Sequence, residues 1–414
     1  MSLDRPTART PRLDRLRRSY APVFDQIAAG ALRRELDQEL PYEEIRRLKE
    51  VGFGAVRVPV EYGGQGASLP ELTQLWIDLA TADANLPQAL RGHFALAEDR
   101  LYHHARGHDQ REWFSRFAEG EIAGNAWSET GNTAIDTQQT VLTPDGAGNF
   151  RINGTKFYAT GTIFAEWADV YARREPEGDF AIALVSTDEA GVTLTDDWDG
   201  FGQLGTGSGT ATFADVPVAA AHVLPFGERF PYQTALYQLN LLATLAGIGK
   251  AALGDAVEQV RRRERNYSHA NAARVRDDAQ VLARIGEISA AVYAAEATTL
   301  RVAGALQEAY DAANEAEAVI LAVNETAEIE SSAAQVVVTE LVLKATSDLF
   351  DTLGASATSR TKALDRHWRN ARTVSSHNPR ILKARVVGAW EVNGTPPPYA
   401  WAIGTTERVT TSAG

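Results

Sequence analysis

Three textures succeed one another along this chain, and their order constrains the fold more than any single motif. From Asp14 to about Phe117 apolar residues recur at helical spacing, punctuated at Pro41, Gly52, Gly63, Pro70 and Pro87. From about Glu121 to Leu224 short β-branched and aromatic runs alternate with turn clusters, among them PDGAG at 144–148 and Asn153-Gly154. Asn153-Gly154 lies between FRI and TKFYAT and reads as a type I′ hairpin turn, which needs positive φ at both central residues. From Tyr232 to about Asn378 long segments rich in Ala, Leu, Val and Glu follow, with few prolines until Pro379. Helical, then antiparallel β, then helical is neither a doubly wound nucleotide fold nor a β/α barrel. At 414 residues the chain exceeds one ordinary core. The reading is α+β in three domains: a helical 1–121, a β-rich 122–230 and a helical bundle over 231–414.

Cysteine is absent and Met occurs only at position 1, which excludes disulfides, a thiolate nucleophile and a Cys-ligated metal. Redox chemistry therefore needs a borrowed cofactor. A net charge of -13 disfavours nucleic acid and anionic lipid as partners, and small-molecule work is the better expectation. No apolar stretch is long enough to span a membrane. The arginines between Arg5 and Arg18 precede no apolar region, so the N-terminus reads as a basic segment of a cytoplasmic protein. EYGGQG (61–66) and GTGSGT (205–210) lack the Walker lysine and read as loops. His104 and His108 are four apart without the glutamate of a zinc helix, so no metal site is expected.

The segment DRHWRNARTVSSHNP (365–379) holds the densest set of donors. A helix ending just before Pro379 places Arg366, Asn370, Thr373 and His377 on one face. Spacing alone fits a solvated helix end slightly better; in a buried interior the same donors would need acceptors that an anionic cofactor supplies. RRRER (261–265) is either a solvated face or a phosphate clamp. Trp127, Tyr158, Trp167 and Trp198 are mostly core residues, with one or two free to stack on a planar cofactor. His93, in RGHFALAE, reads on composition as a half-buried residue.

Several segments together carry a family resemblance. VPVEYGGQGASLPEL (58–72), NAWSETGNT (125–133), GTKFYATG (154–161), FGQLGTGSGTATFADVPV (201–218) and ERNYSHANAARVRDDAQ resemble, in order, segments of the acyl-CoA dehydrogenase superfamily. The resemblance implies a helical N-domain, a central β domain and a C-terminal four-helix bundle, as a homotetramer that binds flavin. Thioester dehydrogenation needs a carboxylate base, and an ungapped count from Arg369-Asn370-Ala371 puts that position on Asn378, whose amide cannot abstract a proton. HWRNART followed by His and Asn-Pro is similar instead to the flavin-dependent monooxygenase branch, which includes dibenzothiophene and sulfone-type monooxygenases and amine-hydroxylating nitrososynthases. That branch typically has a further His where this chain has Val374.

The branch implies a two-component monooxygenase. Reduced FMN comes from a separate NAD(P)H:flavin reductase, and oxygen adds at flavin C4a to give a hydroperoxide that oxygenates a small organic, most readily organosulfur, substrate. The resemblance places Asn125, Trp127, Ser128, Tyr158 and Thr160 along the flavin, with Thr160 near N5. Arg265, from a neighbouring subunit, holds the phosphate; Asn370 orients flavin or peroxide; His93 and His377 manage the peroxide proton; and Trp198 walls the substrate cavity, where His93 also lies. Alternatives are an acyl-CoA dehydrogenase with FAD and a displaced base, an amine N-hydroxylating enzyme, and a catalytically silent oligomeric partner.

Overall fold

The computed structural model describes residues 10–129 and 138–399. The first nine residues of the basic N-terminus and residues 130–133 of NAWSETGNT lie outside them. Contacts divide the chain into two compact units, one helical (Met1–Glu121, Asp199–Thr206, Phe230–Pro397) and one built on a sheet (Ile122–Trp198, Gly207–Arg229, Pro398–Gly414).

The helical unit begins with α1 (Pro11–Asp37), α2 (Tyr42–Glu50), α3 (Leu69–Ala82), α4 (Asn85–Ala89), α5 (Arg91–Ala105) and α6 (Arg111–Ala118). Its starts follow capping chemistry: Thr10 accepts from Leu13 N, and Ser68 and Glu71 form a reciprocal capping box ahead of α3. In EYGGQG the chain doubles back so tightly that a Cβ on Gly64 would lie 2.0 Å from the Val58 carbonyl oxygen. That string is thus a loop of backbone necessity.

The unit continues with α7 (Gln233–Arg262), α8 (Ala279–Asp311), α9 (Glu317–Asp348), α10 (Arg366–Ser375) and α11 (Arg380–Asn393). Helix α7 packs on α3, α8 and α9, while α10 and α11 both pack on α9. The seam holds Ala252, Ala256, Ile288, Val292, Ala345 and Leu349, where small residues let the long helices approach closely. The ERNYSHANAARVRDDAQ segment is not helical through most of its length. Helix α8 starts only at Ala279, and Asp278 holds the preceding loop by accepting from Asn271 N at 2.9 Å and Gln280 N at 3.0 Å.

The sheet unit contains β1 (Ala123–Ala126), β2 (Val141–Pro144), β3 (Phe150–Lys156), β4 (Trp167–Arg174), β5 (Phe180–Ser186), β6 (Val192–Thr195), β7 (Thr210–Val218) and β8 (Val223–Pro225). Their order is β6-β7-β3-β2-β4-β5-β8, with β1 on β4. Most pairs are antiparallel, but β4 takes both β1 and β2 in parallel. Leu142, Ile152, Val170, Ala183 and Phe213 fill its core.

The hairpin reading of Asn153-Gly154 is wrong. Strand β3 runs through both residues with a bulge between Ile152 and Gly154, because Gly154 passes so close to Thr140 that a Cβ would lie 2.3 Å from its hydroxyl. The β2–β3 turn is PDGAG instead: Asp145 Oδ1 accepts from Ala147 N at 2.7 Å and Asn149 N at 3.0 Å.

Candidate active site

Within the helical unit, α10 ends at Ser375 rather than before Pro379, so His377 lies in the following turn and the four-residue stripe is broken. The other members find partners within the protein. Arg366 donates to Asp255 of α7 at 2.6 Å. Asn370 Oδ1 accepts from Gln203 N at 2.6 Å, and Thr373 donates to the Arg369 carbonyl at 2.9 Å. Asn370 thereby pins the FGQLG loop, whose Gly202 passes against α10 where a Cβ would lie 2.5 Å from Arg369 O. This satisfied set does not need a cofactor to supply acceptors.

His367, beside these residues and unremarked in the sequence reading, is buried with Nε2 2.8 Å from Asp255. Burial pushes the Asp255 carboxyl up, but His367 and Arg366 hold it below its ordinary value. The only sequence signal for this trio was two basic residues side by side in an amphipathic helix.

His377 is an exposed residue, yet desolvation by the surrounding protein, with the charge of Arg91 as a second cause, drops its pKa well below the usual imidazole value. Flanking His377 in sequence, Val374, Ser375, Asn378 and Arg380 border a small opening with Leu241, Gln335 and Thr339. The described lining contains amides, hydroxyls and a guanidinium, and no carboxylate.

His93 is placed elsewhere. Fully buried on α5, its Nε2 meets the Gly54 carbonyl oxygen at 2.8 Å, and its ring contacts Phe94 and Phe117 edge-on. Burial lowers its pKa to about 4, so it is a neutral core residue. Arg265 lies exposed past the end of α7, its carbonyl accepting from Arg263 at 3.1 Å.

Within the sheet unit, Asn125 lies on β1, and its backbone N–H donates to the Thr160 carbonyl at 3.1 Å. Its side-chain Oδ1 is buried with no hydrogen-bond partner. The Thr160 hydroxyl pairs with that of Ser208 at 2.8 Å. Tyr158 is 47% exposed, and the edge of its ring system meets Trp198 at 5.5 Å, so these two aromatics belong to one patch. Ser128 accepts from Phe157 N at 2.9 Å through its carbonyl. Trp127 is committed to the interior: its indole N–H donates to Asp169 at 2.6 Å, and its ring packs on Tyr171 and Phe226. Lys156 of the Lys-Phe-Tyr-Ala-Thr string is structural as well. Its ammonium is fully buried, donates to Glu129 at 2.8 Å and Gln138 at 2.5 Å, and burial lowers its pKa to about 8.

Asn125 Oδ1 is buried and unpaired, and the Asn125 backbone bonds to Thr160 of the Thr160–Ser208 pair; a ligand with an N–H edge, as an isoalloxazine has, would supply the missing donor.

Comparison with known proteins places this geometry in a family. Residues 14–121 match the N-terminal domain of acyl-CoA dehydrogenases and residues 241–379 the acyl-CoA dehydrogenase C-terminal domain. The dibenzothiophene monooxygenase of Rhodococcus qingshengii is 28% identical over 84% of this chain and 86% of its own length. The probable FMNH2-dependent monooxygenase SfnC of Pseudomonas putida is 28% identical over 90% of this chain and 93% of its own. The structure of FMN-bound TdsC from Paenibacillus sp. A11-2 superposes with a TM-score of 0.85 at 28% identity, covering 94% of this chain and 99% of that one. Fold and relatives agree: the chain belongs to the acyl-CoA dehydrogenase superfamily, in its flavin-dependent monooxygenase branch.

Proposed function

We propose that this protein is the oxygenase of a two-component system, which receives reduced FMN from a separate NAD(P)H:flavin reductase and oxygenates a small organosulfur compound with dioxygen. One observation carries the choice of chemistry over thioester dehydrogenation. The position that would bear the dehydrogenase base is Asn378, and the described lining of the opening around it has no carboxylate.

Reduced FMN, when bound, supplies the electrons that activate dioxygen. The residues of the chain bind and orient it. Asn125 Oδ1 would take a ring N–H, Thr160, Tyr158 and Ser128 would hold the flavin beside it, and Trp198, packed against Tyr158, would wall the substrate side. Trp127 supports this surface from behind through Asp169. Asn370 acts through the loop that it pins rather than on the flavin directly. His377 stays neutral at pH 7, so a ring nitrogen accepts a proton rather than presenting a permanent charge.

Arg265, exposed as described, is assigned to the flavin phosphate of a neighbouring subunit in a homotetramer. Exposed apolar residues on the bundle helices support assembly: Tyr293 on α8, Val337 on α9 and Ile381 and Val392 on α11. A cytoplasmic location completes the proposal; among the described residues no helix is long and apolar enough to cross a membrane.

The test is His377→Ala. It keeps its affinity for reduced FMN but releases hydrogen peroxide in place of oxygenated product. Unchanged coupling would remove His377 from the chemistry.

A further inference from the structure

Five arginines are buried among the described residues: Arg34, Arg57, Arg91, Arg100 and Arg229. Four have carboxylates. Arg34 meets Asp83 and Glu44, Arg57 meets Glu98, Arg100 meets Asp99 and Arg229 meets Asp169. Arg91 does not. It is 6% exposed, its Nε has no hydrogen-bond partner, and its recorded contact is the face of Tyr237, 4.9 Å from the guanidinium carbon. A buried guanidinium without an acceptor is costly, and native proteins rarely keep one unless something outside the chain completes it.

Arg91 is the first residue of α5, so the positive end of a fifteen-residue helix lies at the same spot. The adjoining α4 and the facing α7 carry two more buried polar atoms without partners, Gln88 Oε1 and Asn240 Oδ1; Asn240 meanwhile donates to the Pro87 carbonyl at 3.1 Å. The field of Arg91 also reaches His377. A ligand bearing both an anion and a donor, or an anion with its ordered water, satisfies this set.

We propose that Arg91 is the receptor for a negatively charged oxyanion group of the substrate, so that the enzyme takes small anionic organosulfur compounds, sulfinates or sulfonates, in preference to neutral thioethers. This deepens the monooxygenase reading and rests on it for the identity of the occupant as substrate. A planar guanidinium matches two oxygens of such a group in parallel, with the Tyr237 ring backing it. The protein's overall charge of -13 gives an anion no long-range attraction, so selection would rest on the local contact.

The experiment is calorimetric titration of the full chain, with and without FMN, using methanesulfinate, methanesulfonate and the neutral dimethyl sulfone. Wild type binds the anions more tightly than the sulfone. Arg91→Met weakens the anions about ten- to a hundredfold, the range for one charge-assisted contact, and leaves sulfone and FMN affinities unchanged. Arg91→Lys, which keeps the charge without the fork, retains part of the preference and guards against a folding artefact. Anion affinity unaltered in Arg91→Met, or loss of FMN affinity in its place, overturns the proposal; the second outcome makes Arg91 a flavin-phosphate ligand. If the protein neither binds FMN nor consumes oxygen while Arg91-dependent anion binding persists, the anion site stands and the monooxygenase reading falls.

Discussion

Replacing Arg91 by Met should make the empty protein more stable, which is the opposite of what loss of a buried structural residue does. Burial, with no carboxylate to oppose it, lowers the Arg91 pKa from 12.5 to about 10. At about 1.4 kcal/mol per tenfold change in proton affinity, holding the charged form in the folded state costs roughly 3 kcal/mol. Because the folded value is the lower one, the native state is penalised at every pH below it, neutral pH included. Met keeps an unbranched apolar stem but gives up the contact with Tyr237, for which about 0.5–2 kcal/mol is typical. The balance is a gain of roughly 1–2 kcal/mol, or about 1–2 °C in Tm for a chain of this size. Thermal and urea melts at pH 7 followed by circular dichroism measure it. With methanesulfinate at a hundred times its dissociation constant, wild type should gain about 2.7 kcal/mol and overtake the variant, whose melt barely moves. A variant less stable than wild type in the absence of anion would refute the reasoning, since Arg91 would then have a partner within the fold.

Three other expectations follow from the same geometry. His93, neutral in the fold with a pKa near 4 against 6.5 in the unfolded chain, makes the unfolded state bind the extra proton between those values. Stability contributed by His93 is therefore full above pH 6.5 and lost by about 3 kcal/mol as pH falls to 4; His93→Gln should flatten that limb of the pH–stability curve, and an unchanged slope would contradict its placement. Asn370→Ala leaves the buried Gln203 N–H without its acceptor and should cost about 1–3 kcal/mol in urea melts, with Asn370→Asp recovering most of it. Gly64→Ala should destabilise by more than about 3 kcal/mol, because its Cβ would collide with the Val58 carbonyl; soluble, wild-type-like melts would show that the loop can open.

The helical and β textures were legible because periodicity survives without knowledge of partners, and the capping box before α3 sits in the sequence as Ser68-x-x-Glu71. Asn153-Gly154 misled because a glycine that admits a tight turn also admits a bulge, and what decided was Thr140, distant in sequence but pressed against that strand. Trp127 and Lys156 carry a family motif, yet Asp169 and Glu129 draw their polar ends into the sheet unit's interior. The helix expected to run up to Pro379 ends at Ser375, three residues earlier, since only the restriction before Pro379 marked its end. Arg91 stood in plain view in LPQALRGHFALA, an arginine in an apolar window beside the more conspicuous His93. What a sequence cannot display is that an arginine has no carboxylate opposite it, because pairing is a property of the fold.

The central claim is that the protein handles reduced flavin and oxygen rather than an acyl thioester. The most direct measurement is rapid mixing of the protein, loaded anaerobically with reduced FMN, against oxygenated buffer, followed across the flavin absorbance bands. Reoxidation is expected in two phases, with an intermediate spectrum that outlasts the single-step oxidation of free reduced FMN. A single phase at the rate of free FMN, together with anaerobic bleaching of bound oxidised flavin by acyl-CoA, would contradict it and return the protein to dehydrogenation.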